Sequence, residues 1–253
     1  MRNIEEALQE HKQAVLAAGY TEKQILGIFV YGSQNYGTAT ENSDVDTKAV
    51  IIPTMRQLAF HSVKTKELRL ENNEHCVVMD IMHLINNFRK QNINFIEVLY
   101  TDYCWINPMY KMLWKMFFLQ QREHIAHYDP TKCLKSICGQ AIRTLKQNPY
   151  DGKQVGNGIR LKYFLHHYLL GDDYMDCIKP SEDKIAEILS IKYKDLSKQL
   201  PPNEQADKLI EWFQSLQELM ADAPEVDSKK IDNLMENGAL TMMKKLQENV
   251  GWG

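Results

Sequence analysis

Residues 29–50, FVYGSQNYGTATENSDVDTKAV, are the stretch from which the fold of this chain can be predicted. An apolar run ends at a Gly-Ser pair, a polar loop follows, and a second apolar run begins directly after two aspartates. Short runs rich in β-branched and aromatic residues and bounded by turn residues are typical of buried strands. The pattern therefore predicts two neighbouring strands, over about 25–33 and 44–53, joined by a polar loop.

Patterns on both sides of this stretch complete the fold prediction. Apolar residues at helical spacing predict a helix over about 4–18, and a third apolar run at 75–80 leads directly into a helix that begins at Ile81. The remainder of the chain shows only helical periodicity. We therefore predict an α/β (α+β) protein, with a small sheet in a domain over 1–105 and an all-helical domain over 106–253.

The composition of the 253 residues excludes several classes of protein. No uncharged apolar run is long enough to cross a membrane. The first ten residues, MRNIEEALQE, are too acidic for a secretory signal peptide. The five cysteines form no CxxC pair, which argues against a disulfide framework and against a zinc knuckle. These features predict a soluble cytoplasmic protein with reduced thiols.

Positive charge is concentrated in residues 131–170, which carry seven lysines and arginines against one aspartate. This segment has a net charge of +6 in a chain whose total is −3, so the rest carries −9. Lys153 and Arg160, seven residues apart, share a helix face, although two glycines lie between them. On an ideal helix over 131–147, four more basic side chains share a sector of about 80° and are called here the basic stripe: Lys132, Lys135, Arg143 and Lys146. The segment is a candidate anion site.

The aspartate pair and the Gly-Ser turn have the residue types that phosphoryl transfer requires. In an extended strand Asp44 and Asp46 point to the same face about 7 Å apart, close enough for both carboxylates to bind one or two hard cations. Gly32 lets a phosphate approach the backbone, and Ser33 offers a hydroxyl and an N–H to an oxyanion. The segment therefore predicts a site for a nucleoside triphosphate and divalent ions.

A site with two metal ions needs a further ligand beside the aspartate pair. Asp80 is the first candidate, because a strand that ends there, beside the second strand, would present its carboxylate near the pair. Glu74, which precedes the same apolar run, is the alternative. The competing interpretation of Asp80 is a helix N-cap, since a helix is predicted to begin at the next residue.

The order hydrophobic-Gly-Ser, ten residues, then Asp-hydrophobic-Asp resembles the nucleotidyltransferase signature of the DNA polymerase beta superfamily. Together with NINFIEVL at 92–99 and the stretch from Lys153 to Leu161, it most resembles the bacterial and phage RNA-ligase-associated nucleotidyltransferase-like proteins. The resemblance covers about residues 25–170. It implies a mixed sheet of the polymerase beta palm type. It also implies an enzyme that transfers a nucleoside monophosphate from an NTP to a hydroxyl group, with release of pyrophosphate.

The resemblance implies roles for individual residues as well. Three carboxylates would be catalytic and would bind two Mg²⁺ ions, or Mn²⁺ in their place: Asp44, Asp46 and Asp80. The third of them would also accept the proton of the acceptor hydroxyl. Four residues would bind the nucleotide, for which ATP is expected: Gly32, Ser33, Lys153 and Arg160.

The acceptor is the point on which the sequence leaves alternatives open. The basic stripe and the RNA-repair resemblance favour an RNA end, such as that of a tRNA. A protein hydroxyl is the second alternative, as in the toxin and antitoxin proteins of the polymerase beta type. The third is a nucleotide-binding or RNA-binding module without catalysis. No membrane partner is expected.

Overall fold

The computed structural model describes residues 2–60, 62–70, 73–194, 196, 204–220 and 226–250. Its strands are β1 (Ile25–Val30), β2 (Thr47–Ile51), β3 (Lys66–Arg69), β4 (His75–Asp80) and β5 (Cys104–Ile106). They form one five-stranded sheet with the order β3-β4-β2-β1-β5. The three central strands are the three predicted apolar runs, so the predicted small mixed sheet is confirmed.

The sheet is mixed because β2 and β4 are parallel, whereas the other neighbouring pairs are antiparallel. Within the parallel pair, Thr47 is opposite Cys76 and Ile51 is opposite Asp80. The edge strands β3 and β5 have no pattern from which they could be predicted. β3 is largely exposed, and β5 contains three residues, none of them fully buried.

Helices make up most of the remaining chain. In chain order they are α1 (Ile4–Ala17), α2 (Ser33–Tyr36), α3 (Met55–Ala59), α4 (Ile81–Arg89), α5 (Ile93–Ile96), α6 (Lys111–Phe117), α7 (Arg122–Ala126), α8 (Pro130–Gln147), α9 (Gly152–Leu170), α10 (Tyr174–Ile178), α11 (Glu182–Lys192), α12 (Glu204–Leu219) and α13 (Lys229–Val250). The helices predicted at 4–18 and from Ile81 are confirmed, and no strand follows β5 in the described residues. None of the helices described has the length and apolar character that a membrane span requires.

Two clusters of buried residues cover the two faces of the sheet. Helix α1 covers one face, where Leu8 packs in the same cluster as Val45. The helical region covers the other face, and the ring of Phe29 in β1 lies 5.2 Å from that of Trp114 in α6. The buried cluster on this second face continues from the sheet into the helical region.

Two glycines of α9 determine how closely α11 approaches it. A Cβ at Gly152 would lie 2.3 Å from Ile191 O, and a Cβ at Gly156 would lie 3.2 Å from Ile188 O. A larger residue at Gly152 would force the two backbones apart. The close approach brings the last turn of α11 to the loop between α2 and β2.

Candidate active site

A cleft of about 500 Å³ lies where the loops at one end of the sheet face α9 and α11. The sheet side contributes the Gly-Ser turn and both aspartates, and α9 contributes two cationic side chains. Six residues that the sequence analysis singles out therefore line one cleft: Gly32, Ser33, Asp44, Asp46, Lys153 and Arg160.

The Gly-Ser turn follows β1 and opens the short helix α2. Gly32 has φ 84° and ψ −141°, a backbone conformation that requires glycine. A Cβ at this position would meet no atom within 4 Å, so the space beside the turn is open. The Ser33 hydroxyl has no hydrogen-bond partner in the described part of the chain. It is therefore available to an oxyanion in the cleft.

The two aspartates precede β2, and both line the cleft, whereas Val45 between them is buried beneath α1. Asp44 is exposed. Asp46 is half-buried, and its Oδ1 accepts a hydrogen bond of 2.9 Å from His75 N. Burial raises the pKa of Asp46, the His75 N–H lowers it, and the Asp44 carboxylate raises it again. A cation between the two carboxylates would relieve their repulsion.

Arg160 is the clearest indication of an anionic ligand, because only 5% of its surface is exposed. Its Nε and Nη2 donate hydrogen bonds of 3.1 and 2.9 Å to Asn157 Oδ1, and its guanidinium lies 3.8 Å from the centroid of the Tyr36 ring. Arg160 forms no salt bridge with any residue that the structure describes. Because a buried charge without a counter-charge is costly, an anion from a ligand would complete this site.

The last turn of α11 adds two cleft residues that the sequence analysis misses, Lys192 and Tyr193. Lys192 Nζ donates a hydrogen bond of 3.1 Å to Thr38 O, and the Tyr193 hydroxyl lies 3.0 Å from Thr40 Oγ1. Neither residue belongs to a motif. The one signal in the sequence is the pair of α9 glycines that lets α11 come close. Lys192 adds a third positive charge to the helical wall of the cleft.

The prediction that Asp80 supplies a third carboxylate beside the pair is wrong. Asp46 contacts His75 at the start of β4, whereas Asp80 lies at the end of β4, opposite Ile51. Because β2 and β4 are parallel, this difference of five residues places the backbone positions of Asp46 and Asp80 about 16 Å apart along the strand direction. The Asp80 side chain instead accepts a hydrogen bond of 2.6 Å from His83 N and caps α4.

Glu74, the alternative third carboxylate, lies at the correct end of β4 but on the face that α1 covers. Its buried carboxylate accepts hydrogen bonds from Arg2 Nε at 3.2 Å and from Val45 N at 3.3 Å. It also lies 3.1 Å from His11 Nε2 in α1. These contacts hold the N-terminal segment to the sheet, so Glu74 does not reach the cleft.

The residues of the cleft fit one Mg²⁺ ion when phosphate oxygens complete its coordination. Mg²⁺ is usually held by one or two carboxylates together with substrate phosphates, which matches Asp44 and Asp46. Within the described ranges, no group of three or more His, Cys, Asp and Glu side chains could hold a metal ion. The predicted second ion therefore lacks its carboxylate ligand in this part of the chain.

Two comparisons with known proteins identify no family for this chain. Comparison with protein-family models gives no match, and a search of curated proteins gives none either. The resemblance to the polymerase beta superfamily therefore depends on the residues quoted above, and the function has to be argued from the cleft.

The basic stripe is exposed on α8, and this helix also reaches the cleft. Lys132 forms an ion pair of 2.9 Å with Asp129, whereas the other three side chains form no salt bridge with a described residue. Gln140 of α8 lines the cleft. The stripe and the cleft are therefore on neighbouring surfaces of the protein.

Proposed function

We propose that this protein is a Mg²⁺-dependent nucleotidyltransferase of the polymerase beta palm type. It transfers the nucleoside monophosphate of an NTP, with ATP as the expected nucleotide, to a hydroxyl group and releases pyrophosphate. The hydroxyl belongs to an RNA end. One observation carries the proposal: two carboxylates on the sheet side of the cleft face three cationic side chains on the helical side.

Only a ligand with charges of both signs satisfies both walls of the cleft. A polyphosphate alone would be repelled by Asp44 and Asp46, and a metal ion alone would leave Arg160 without a counter-charge. A triphosphate that carries a divalent ion meets both requirements. The cleft, at about 500 Å³, also lies within the range of roughly 300–1,000 Å³ that is usual for small-molecule sites.

The residues of the chain bind and orient this nucleotide for attack at its α-phosphorus. Bound Mg²⁺ would neutralise phosphate charge and polarise the phosphorus. The hydroxyl and N–H of Ser33 donate hydrogen bonds to phosphate oxygens. Arg160, held against the ring of Tyr36, stabilises the negative charge that develops as pyrophosphate leaves. Lys153 and Lys192 add positive charge on the same wall.

An RNA end is the acceptor that the surface charge supports best. The basic stripe lies on the helix that also lines the cleft, and three of its four side chains have no carboxylate partner among the residues described. Such a surface attracts phosphates irrespective of base sequence. The stripe can hold an RNA backbone while the terminal hydroxyl enters the cleft.

A nucleotide-binding module without catalysis is the second candidate, and the position of Asp80 favours it. The resemblance implies a third carboxylate that binds a second ion and takes the proton from the acceptor. Neither Asp80 nor Glu74 reaches the cleft, because one caps α4 and the other contacts α1. A module that only binds Mg²⁺ and an NTP needs no third carboxylate.

One labelling experiment distinguishes these functions. The protein is incubated with Mg²⁺, an α-labelled NTP and a cell lysate, and the products are treated separately with nuclease or with protease. Asp46→Asn is the matched inactive variant. We expect label that nuclease removes and that the variant fails to transfer.

The other outcomes have distinct meanings. Label that only protease removes would show that the acceptor is a protein hydroxyl. NTP binding without any labelled product would favour the silent module. Absence of NTP binding would overturn the proposal as a whole.

A further inference from the structure

Glu97 is a buried carboxylate beneath the Gly-Ser turn, and the proposed function gives it no role. It begins the 3₁₀ turn Glu97–Leu99, and only 1% of its surface is exposed. Its Oε2 accepts hydrogen bonds from Gly32 N at 3.3 Å and from Asn35 Nδ2 at 3.5 Å. One donor precedes Ser33 and the other follows it, so the carboxylate holds the turn from both sides of Ser33.

The other oxygen of Glu97 faces a buried ammonium group. Glu97 Oε1 lies 3.7 Å from the Nζ of Lys48, the second residue after Asp46. Lys48 is 3% exposed, and its Nζ lies 3.1 Å from the centroid of the Tyr31 ring. Among the residues that the structure describes, neither Lys48 Nζ nor Glu97 Oε1 has a hydrogen-bond partner. Burial lowers the pKa of Lys48 to about 8, although Glu97 and Asp46 act in the opposite direction.

Stability alone does not account for this pair. A buried ion pair that lacks good hydrogen bonds recovers little of its desolvation cost, and apolar residues of similar volume often serve the fold equally well. Lys48 and Glu97 contact the Gly-Ser turn and the strand β2, which form the sheet side of the cleft. The positioning of these two elements therefore explains the buried pair better than stability does.

The contacts of Glu97 extend across the cleft. Burial raises the pKa of the Tyr36 hydroxyl, and the charge of Glu97 together with a side-chain hydrogen bond to Glu97 raises it further. The guanidinium of Arg160 in turn lies over the ring of Tyr36. Glu97 thus touches the turn directly and reaches the cationic wall through one side chain.

We propose that Glu97 is a positioning residue that fixes the Gly32–Ser33 turn, and through Tyr36 the Arg160 guanidinium, for binding a polyphosphate. The inference rests on the proposed function for the identity of the ligand, but not for the geometry of the turn. Because Glu97 already accepts from Gly32 N, the amide of Gly32 is not a donor to the ligand. The turn offers Ser33 instead.

The test replaces the buried pair in two ways that both remove its charges. Lys48→Met/Glu97→Leu removes the acceptor of Gly32 N, whereas Lys48→Met/Glu97→Gln keeps an amide oxygen as an acceptor. Asn107→Ala is a control for general destabilisation, since Asn107 donates to Glu22 O and Ile25 O at the far end of β1. The amide NMR spectrum without ligand and the Kd for Mg·ATP are measured for each variant.

We expect the Met/Leu pair to fold, to move the Gly32 and Ser33 amide resonances, and to weaken Mg·ATP binding by about tenfold or more. The Met/Gln pair should stay within about threefold of the wild-type affinity, because the amide oxygen still accepts from the turn. Asn107→Ala should lower the melting temperature and leave both readouts unchanged.

Wild-type amide resonances and affinity in the Met/Leu pair would overturn the proposal. Failure of the wild type to bind Mg·ATP would overturn the proposed function instead, and the amide resonances would then decide the role of Glu97 by themselves. Should the Met/Leu pair not fold, Glu97→Asp keeps the charge and withdraws the carboxylate by one methylene. It must show the same two changes, and wild-type values there would also overturn the proposal.

Discussion

The guanidinium of Arg160 lies 3.8 Å from the centroid of the Tyr36 ring. This contact joins α9, on the helical wall of the cleft, to α2, the helix that follows the Gly-Ser turn. A guanidinium over an aromatic face is attracted by the ring quadrupole and is held in one orientation. Tyr36 therefore keeps a buried cation, for which the described residues supply no counter-charge, at the point where the cleft would receive phosphates.

Replacing Arg160 should weaken nucleotide binding more than it weakens the fold. We expect Arg160→Met to raise the Kd for Mg·ATP by about tenfold to a hundredfold, since a hydrogen bond to a charged group contributes roughly 1.5–3 kcal/mol. Arg160→Lys keeps the charge but not the planar stack, so its affinity should be intermediate. Calorimetric titration measures both variants. An affinity of Arg160→Met equal to that of the wild type would remove the main support for an anionic ligand.

Replacing Asp46 should abolish transfer without abolishing nucleotide binding. Asp46→Asn removes one of the two carboxylates that fit Mg²⁺, and it also relieves their repulsion of a bare triphosphate. We therefore expect loss of transfer, together with metal-free ATP binding at least as tight as in the wild type. Asp207→Asn on α12 is the matched control and should behave as wild type in both assays. Transfer at the wild-type rate by Asp46→Asn would place the chemistry elsewhere.

Replacing Asp80 should affect stability and not activity. Its side chain caps α4, so Asp80→Ala should lower the free energy of unfolding by about 1 kcal/mol, and Asp80→Asn, which keeps a capping oxygen, by less. Urea unfolding and the labelling assay measure the two effects. A folded Asp80→Ala protein that fails to transfer would show that Asp80 acts in the site despite its distance.

Strands, turns and helices that are marked by their own residue types or by periodicity could be predicted from the sequence. The strand, turn, loop and strand of 29–50 are recognisable because each is marked by its own residue types. The shared face of Lys153 and Arg160 follows from helical periodicity alone, and the α9 glycines do not interrupt that helix. In this helix glycine serves close packing against α11.

What could not be predicted depends on how distant elements are arranged. The apolar run at 75–80 shows that a strand exists, but not that it runs parallel to β2. Because the two strands are parallel, Asp80 lies at the end of the sheet opposite to the aspartates, and the sequence alone does not show this. Lys192 joins the cleft through packing, and no residue pattern around it marks this. Glu97 lies in the segment 92–99 that the resemblance includes, but that segment does not show that its carboxylate contacts the Gly-Ser turn.

The stability of the protein should depend on pH through His11. The His11 ring is buried between Thr47 and Glu74, and burial lowers its pKa although Glu74 acts to raise it. The unfolded chain therefore binds more protons near pH 6, and the free energy of unfolding should fall as the pH drops below about 6.5. Urea unfolding at pH 7.5 and pH 5.5 measures the fall. It should be smaller in His11→Gln, and an equal fall would assign the dependence to other groups.

RNA binding should depend steeply on salt if the basic stripe contacts phosphates. We expect Lys135→Gln/Arg143→Gln to reduce the slope of log K against log salt by about 0.7 for each lost contact with a single strand. The loss should be similar for RNAs of different sequence. Lys229→Gln/Lys230→Gln on α13 is the matched control with the same change in net charge. A slope that the stripe variant leaves unchanged would exclude the stripe as the RNA surface.

The proposed ligand of the cleft is a metal-bound triphosphate held between an acidic and a basic wall. Calorimetric titration of the wild-type protein with ATP, in the presence of Mg²⁺ and in the presence of EDTA, measures whether binding depends on the ion. We expect binding with Mg²⁺ to be at least about tenfold tighter, because the ion offsets the repulsion from Asp44 and Asp46. Equal affinity under both conditions, or no binding under either, would show that the cleft is not a site for a metal-bound triphosphate.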